Sequence, residues 1–406
     1  MRKTNVSRLY FLLGLVNLLV AAFIGVLIRW HFLFPLNHFN YRNWLHAHSH
    51  ITFLGWIYMG LIALINVYFE KSDLFPHLKF KKLAWWILVT NIGMLIFFPI
   101  QGYGPIPIFF SSIHMILGVY IFYLFLPIFK AFKSLGIQLI QWGFIFMIIS
   151  GIGPLTLGPI LTMGLKGSDW YDFAIYFYLH FQYNGFFTLV ILGLIVHHLE
   201  RDRQIFLEKI RNPILYGLLL AIILTYLLSI LGSDPPMIFY LLGGLGAVIQ
   251  VVIVIFILVT ILRYYSSFFH GYNLYINALL VVSLTALESK LYLQFLSGIP
   301  AIANWVFHSH HTIIAYLHLV LIGFVTSFII GWWYKFHHYP KKTYFFWGIL
   351  CFIIGFIGQE TVLLLYILNL FKGFEFAYQL LLFLSIFLFM GIAGMFVGFI
   401  QKPKPG

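Results

Sequence analysis

The sequence predicts an all-α, polytopic membrane protein with about twelve transmembrane helices in a single domain spanning residues 1–406. Three observations predict it. Of the 406 residues, 62% are hydrophobic and only 9% are charged, whereas a soluble domain carries about a quarter charged residues. The mean hydropathy, +0.96, is too high for the apolar surface to be hidden in one globular core. Apolar runs of roughly 20 residues, the length that crosses a hydrocarbon layer, recur along the whole chain.

Taken in order, the runs place helices near 9–29, 46–69, 82–101, 107–130, 138–163, 172–197, 213–232, 236–262, 271–296, 310–333, 343–370 and 376–400. The first has no small-residue cleavage site behind it and reads as a retained helix, not a signal peptide. The second opens on the stretch Asn43-Trp44-Leu45-His46-Ala47-His48-Ser49-His50. Pro154 and Pro159 in the fifth, set among glycines, predict a kink or a broken segment, because proline removes a backbone donor and clashes with the preceding turn. Gly232-Ser233-Asp234-Pro235-Pro236 is a tight turn between the seventh and eighth.

Basic residues set the orientation. Arg2, Lys3, Arg8, Lys71, Lys79, Lys81, Lys82, Lys130, Lys133, Arg201, Arg203, Lys209, Arg211, Arg263, Lys335, Lys341, Lys342, Lys402 and Lys404 all fall on one side of a twelve-helix arrangement. The opposite loops hold Arg29, Arg42, Lys166 and Lys372. The positive-inside rule then puts both termini in the cytoplasm, as in a multi-pass protein of a bacterial cytoplasmic membrane. The formal charge of +13 is thus a matter of topology and lipid contact, with no nucleic-acid partner. The single cysteine, Cys351, excludes an internal disulfide framework and a cysteine-rich metal site.

Ionisable residues inside a membrane are expensive and usually face the bundle interior or a water-filled path. Here they gather in the outer half of the spans. His50 is followed five residues on by Gly55 and then Trp56, and His318 by Gly323 and Phe324. Neutral imidazole is a common metal ligand and can hold haem iron, and a glycine one turn away leaves room for a flat macrocycle or for a close helix. The two histidines are therefore candidate haem ligands, or interhelical hydrogen-bonders with packing glycines. His114, followed by Gly118, and His180, followed by Gln182, Tyr183 and Asn184, are candidates for a second metal such as copper, a proton path or the rim of a quinone pocket; each could equally be a satisfied core histidine. Glu360, between Gln359 and Thr361, is a candidate proton carrier or a structural hydrogen-bonder. Glu288 and Lys290 lie two apart on one helix and do not face each other. His46, His48, His308, His310 and His311 sit at the surface ends of their helices, where they are solvated or touch the edge of a cofactor. His77, His197, His198, His270, His337 and His338 read as ordinary interfacial residues.

Twelve spans with histidines in the second, sixth and tenth resemble the haem–copper oxidase subunit I superfamily. The run His48-Ser49-His50-Ile51-Thr52-Phe53-Leu54-Gly55-Trp56 resembles the His-x-His-x-x-x-x-Gly-aromatic run of the NnrS family of haem- and copper-containing membrane proteins. The first resemblance implies a haem held by His50, or by His48 two residues earlier, together with His318. It also implies a copper or iron ligand at His180 and a tyrosine near it, Tyr183. Respiratory subunits or a quinone would be the redox partners. The span near 213–232 lacks the His-His pair of the oxidases, so the resemblance is to a divergent member. Two other readings of the same histidines stay open: a metal or haem permease with a histidine relay, and a structural or assembly subunit.

Overall fold

A computed structural model describes residues 5–203, 210–263, 273–307, 309–337, 343–370 and 374–400. Of the residues used above, Arg2, Lys3, Lys209, His270, His308, His338, Lys341, Lys342, Lys372, Lys402 and Lys404 lie outside these ranges. Among the described residues the chain is helical without strands. Twelve helices are long and apolar enough to cross a membrane. They are α1 (Val6–Leu33), α2 (Tyr41–Phe69), α3 (His77–Gln101), α4 (Pro105–Ala131), α5 (Leu135–Thr162), α6 (Asp169–Arg201), α7 (Arg211–Ser233), α8 (Met237–Arg263), α9 (Leu274–Leu296), α10 (His311–Phe336), α11 (Thr343–Ile367) and α12 (Glu375–Ile400). Each matches one run read from the sequence.

The ends differ for local reasons. α2 begins at Tyr41, five residues before the expected start, because the Asn40 side chain caps it by accepting from the Asn43 N–H at 3.2 Å. The histidine stretch therefore lies inside the helix and does not open it. Arg29 and Arg42, counted above as loop residues, belong to α1 and α2. α5 breaks between Ser150 and Ile152: Pro154 has no N–H for the Ser150 carbonyl, and its ring crowds that oxygen. The α5 N-terminus is closed by the Glu200 carboxylate, which accepts from the Leu135 and Gly136 N–H groups at 3.0 and 3.1 Å, an anion placed where the helix dipole favours it. α7 tightens into a 3₁₀ segment, Tyr226–Ser233, and turns at Asp234, where φ is +49°.

The chain divides into two units. The first comprises residues 1–125, 273–282 and 321–406. In it α1 packs on α2 and α12, and α12 packs on α11. The α11–α12 contact is made backbone to backbone at Gly348, Gly355, Gly391 and Gly394, the small-residue route to close helix packing in lipid. The second unit comprises residues 126–272 and 283–320. There α5 packs along α6, α7 along α8, and a short helix, Pro300–Phe307, lies against the 3₁₀ end of α7.

Candidate functional site

The histidines of α2, α6 and α10 share a local structure. Directly after His50, His180 and His318 the helix widens into π-helical segments, Ile51–Ile57, Phe181–Phe187 and Leu319–Thr326. Such segments are rare and concentrate at functional sites. Each contains the glycine five residues after its histidine: Gly55, Gly185 and Gly323. A Cβ on these glycines would run into Asn17, Phe146 and Phe356 respectively. Hydroxyls help hold the wide turn by taking carbonyls five residues back: Thr188 from Tyr183 at 2.6 Å, and Thr326 from Leu321 at 2.7 Å. The His-x-x-x-x-Gly-aromatic pattern is legible in the sequence at His50 and His318. The third copy, His180 to Gly185 and Phe186, was present at the same spacing and was missed.

In the first unit, His48 and His50 point to different neighbours, as residues two apart on a helix must. His48 Nδ1 donates to the Ala21 carbonyl of α1 at 2.9 Å, and its ring lies over Gly25, whose missing side chain makes the space. His48 is also within electrostatic reach of Arg29, which is only 8% exposed although it carries a charge. Arg29 in turn is within reach of Tyr41, Tyr378 and Glu360. Phe32 bridges the two tyrosines, its ring centroid 5.1 Å from Tyr41 and 5.2 Å from Tyr378. Among the described residues, Glu360 Oε1 is buried with no hydrogen-bond partner. Trp56, further along α2, packs on Gly14 and Phe11 of α1 and donates its indole N–H to Thr326 Oγ1 of α10 at 2.8 Å.

His50 faces the other way. Its Nδ1 donates to the His46 carbonyl at 2.9 Å, and its ring lies 4.2 Å from that of Phe98 on α3, beside Tyr103. His114 of α4 is within electrostatic reach of His50. His114 is 2% exposed. Its Nδ1 lies 3.1 Å from Thr90 Oγ1, whose one proton goes to the Ile87 carbonyl at 2.7 Å. Thr90 must therefore accept, His114 Nδ1 carries the hydrogen, and Nε2 is left as an unprotonated, buried acceptor without a partner among the described residues. The Tyr58 and His114 rings meet edge to face, with centroids 5.3 Å apart.

In the second unit His180 is saturated. The α-to-3₁₀ change in α7 turns the Tyr226 N–H toward Ile223 and away from Ile222. The freed Ile222 carbonyl accepts from His180 Nε2 at 2.8 Å. His180 Nδ1 accepts from Ser229 Oγ at 3.2 Å and from the Asn184 amide at 3.1 Å. Both ring nitrogens are thus engaged by the protein, and no lone pair is left for a metal in this arrangement. Tyr183 packs edge-on against His180 and Tyr316, with ring centroids 6.2 and 6.0 Å apart. The Gln182 amide reaches Ser150 Oγ at 3.0 Å, beside the α5 break.

Among the described residues, no group of three or more His, Cys, Asp or Glu side chains is placed to hold a metal ion. The buried polar groups are also less confined to one half of the spans than the sequence suggested. Asn66, near the far end of α2, is fully buried, and among the described residues neither of its amide atoms is bonded. Two residues that sequence reasoning passed over stand out: Arg29, counted with the loops, and Lys290, which is completely buried. The signal for Lys290 was its register with Ser283 and Gln294, seven back and four on, which is one helix face. Neither a family model nor a curated protein matches the sequence.

Proposed function

We propose that this chain is a haem-binding membrane protein with a redox role, in respiration or in the handling of nitric oxide. The observation that supports it best is the environment of His48. Its Nδ1–H is held by the Ala21 carbonyl, the arrangement that fixes the tautomer and ring orientation of metal-ligating histidines, and its Nε2 is left as the ligating atom. His50 Nδ1 is held in the same way by the His46 carbonyl, so the choice of His48 as the α2 ligand rests on Arg29 beside it; His318 of α10 stays the second ligand that the resemblance implies. Arg29, with Tyr41 and Tyr378 near it, suits the carboxylates of a macrocycle, because guanidinium pairs with carboxylate in a fixed fork geometry. Bound haem supplies one-electron chemistry. The chain's own residues orient it, exclude water through the aromatic walls, and offer Glu360 as a proton carrier. Electrons would come from a membrane quinone or a respiratory partner subunit.

Of the two candidates for a second metal, His180 and His114, the copper role is kept for His114, whose Nε2 is open among the described residues; imidazole suits copper, and His50 is the neighbouring ligand. The distribution of basic residues supports a bacterial cytoplasmic membrane with both termini inside. The reading is tested by the optical spectrum of protein purified from a haem-replete host. A Soret band is expected in the wild type and in His50→Ala, and its loss or a shift to high spin in His48→Ala and His318→Ala. Pure, folded protein with no haem by extraction would end the proposal. The α5 break at Gly151 favours the second reading, a permease, since discontinuous helices mark substrate sites in transporters. Colourless protein whose metal uptake falls in His114→Ala would select it.

A further inference from the structure

His46 and His50 of α2 are four residues apart. At that spacing side chains are neighbours on one helix face, roughly 5–6 Å apart at Cβ. Two histidines so placed can reach one metal ion together. Their rings meet the same wall. The His46 ring centroid lies 4.4 Å from that of Tyr103 and 6.2 Å from that of Phe98, and the His50 centroid lies 5.8 Å and 4.2 Å from the same two rings. The two imidazoles are within electrostatic reach of each other.

The His50 ring presents a set nitrogen. Its Nδ1–H is held by the His46 carbonyl at 2.9 Å, so the lone pair lies on Nε2, the pattern that orients a ligating histidine. Phe98 is fully buried, whereas Tyr103, in the α3–α4 loop, is 45% exposed and both histidines are half-buried. One side of the pair is therefore dry, and the other, at the loop, is open to an ion from solvent. Nitrogen ligands favour copper and zinc over magnesium and calcium, which seek oxygen. One charge opposes a cation here: Arg42, exposed and four residues before His46, is within electrostatic reach of it. Water and salt screen exposed charges, so Arg42 weakens the site without closing it.

We propose that His46 and His50 form a two-imidazole site for a divalent transition-metal ion, Cu²⁺ or Zn²⁺, beside the α3–α4 loop. Water fills the remaining positions, which makes the ion labile. The haem assignment to His48 is not involved, since residues two apart on a helix face different ways. The proposal rests on the copper reading of His114 only in taking His50 Nε2 as a ligating atom.

The test is Cu²⁺ added to the full chain in detergent after EDTA treatment, read by electron spin echo modulation, which counts the imidazoles on the ion, alongside equilibrium titration with Zn²⁺. Two coupled imidazoles are expected in the wild type. His46→Ala and His50→Ala should each leave one at most and weaken Zn²⁺ binding, with elution on size exclusion showing that they fold. Because a histidine variant could fail to fold, Arg42→Gln, at an exposed position, serves as the second kind. It removes the opposing charge and should tighten Zn²⁺ binding severalfold, most at low salt. His114→Leu, which the copper reading expects to lose resident copper, should keep the two-imidazole signal. A signal unchanged in His46→Ala and His50→Ala overturns the proposal, as does a Zn²⁺ affinity that Arg42→Gln leaves unaltered. A signal lost in His114→Leu and kept in His46→Ala also overturns it, and would put the added copper on the buried nitrogen, leaving the copper reading standing.

Discussion

Trp56 Nε1 lies 2.8 Å from Thr326 Oγ1, joining the π-helical segments of α2 and α10 across 270 positions of sequence. The direction of this bond is fixed, because the threonine hydrogen is already given to the Leu321 carbonyl at 2.7 Å. Thr326→Val keeps the shape but strands a buried indole N–H, at a cost of about 1–3 kcal/mol. Thr326→Ser should cost less, since it retains the acceptor. Thermal unfolding of the two variants in one detergent separates them; equal midpoints would mean that the bond does not hold the two segments together.

His180 is expected to behave as a structural residue. His180→Leu leaves the Ile222 carbonyl and the Asn184 amide without their partner, which should destabilise the protein by about 2–6 kcal/mol, about one to three for each stranded group. Bound metal per folded molecule should not change. Metal analysis on the monodisperse fraction checks it: folded His180→Leu protein depleted of metal would make His180 a ligand.

His114 should show the opposite pattern. Among the described residues its Nε2 has no partner, so replacing it with an apolar residue of similar size removes an unpaired buried acceptor and should be near neutral for stability in metal-free protein. If the nitrogen serves a metal, His114→Leu loses copper while the haem spectrum keeps its intensity. Copper content and absorbance on the same sample decide the matter.

The glycines of the three π-helical segments are expected to tolerate no side chain. Gly185→Ala drives a methyl to 2.6 Å from Phe146 Cβ, an atom fixed to the α5 backbone, whereas Gly55→Ala meets the Asn17 amide oxygen first and the Asn17 Cβ less closely, at 2.9 Å. Overpacking of this kind costs roughly 1–3 kcal/mol. Gly185→Ala should therefore give the lower yield of monodisperse protein on size exclusion; the reverse order would place the tighter packing at Gly55.

The twelve spans were legible in the sequence because each carries its own apolar run, and in a membrane every backbone group must be satisfied within the segment, so length and composition suffice to call a helix. The break in α5 was legible for a similarly local reason: proline acts on its own turn. What the sequence could not decide is how each helix is rotated about its axis. His48 and His50 are equivalent in composition and two positions apart, and only the neighbours α1 and α3 show that one meets Ala21 and Arg29 while the other meets Phe98. His180 looked like a metal ligand because its polar neighbours were in view, whereas the carbonyl that occupies it belongs to Ile222, 42 residues away, and is released by a change of helix type. Arg29 was counted with the loops and Lys290 was set only against Glu288, and the fold buries both. Hydrophobic length is a property of one segment, but the partner of a buried polar atom is a property of the segments packed around it.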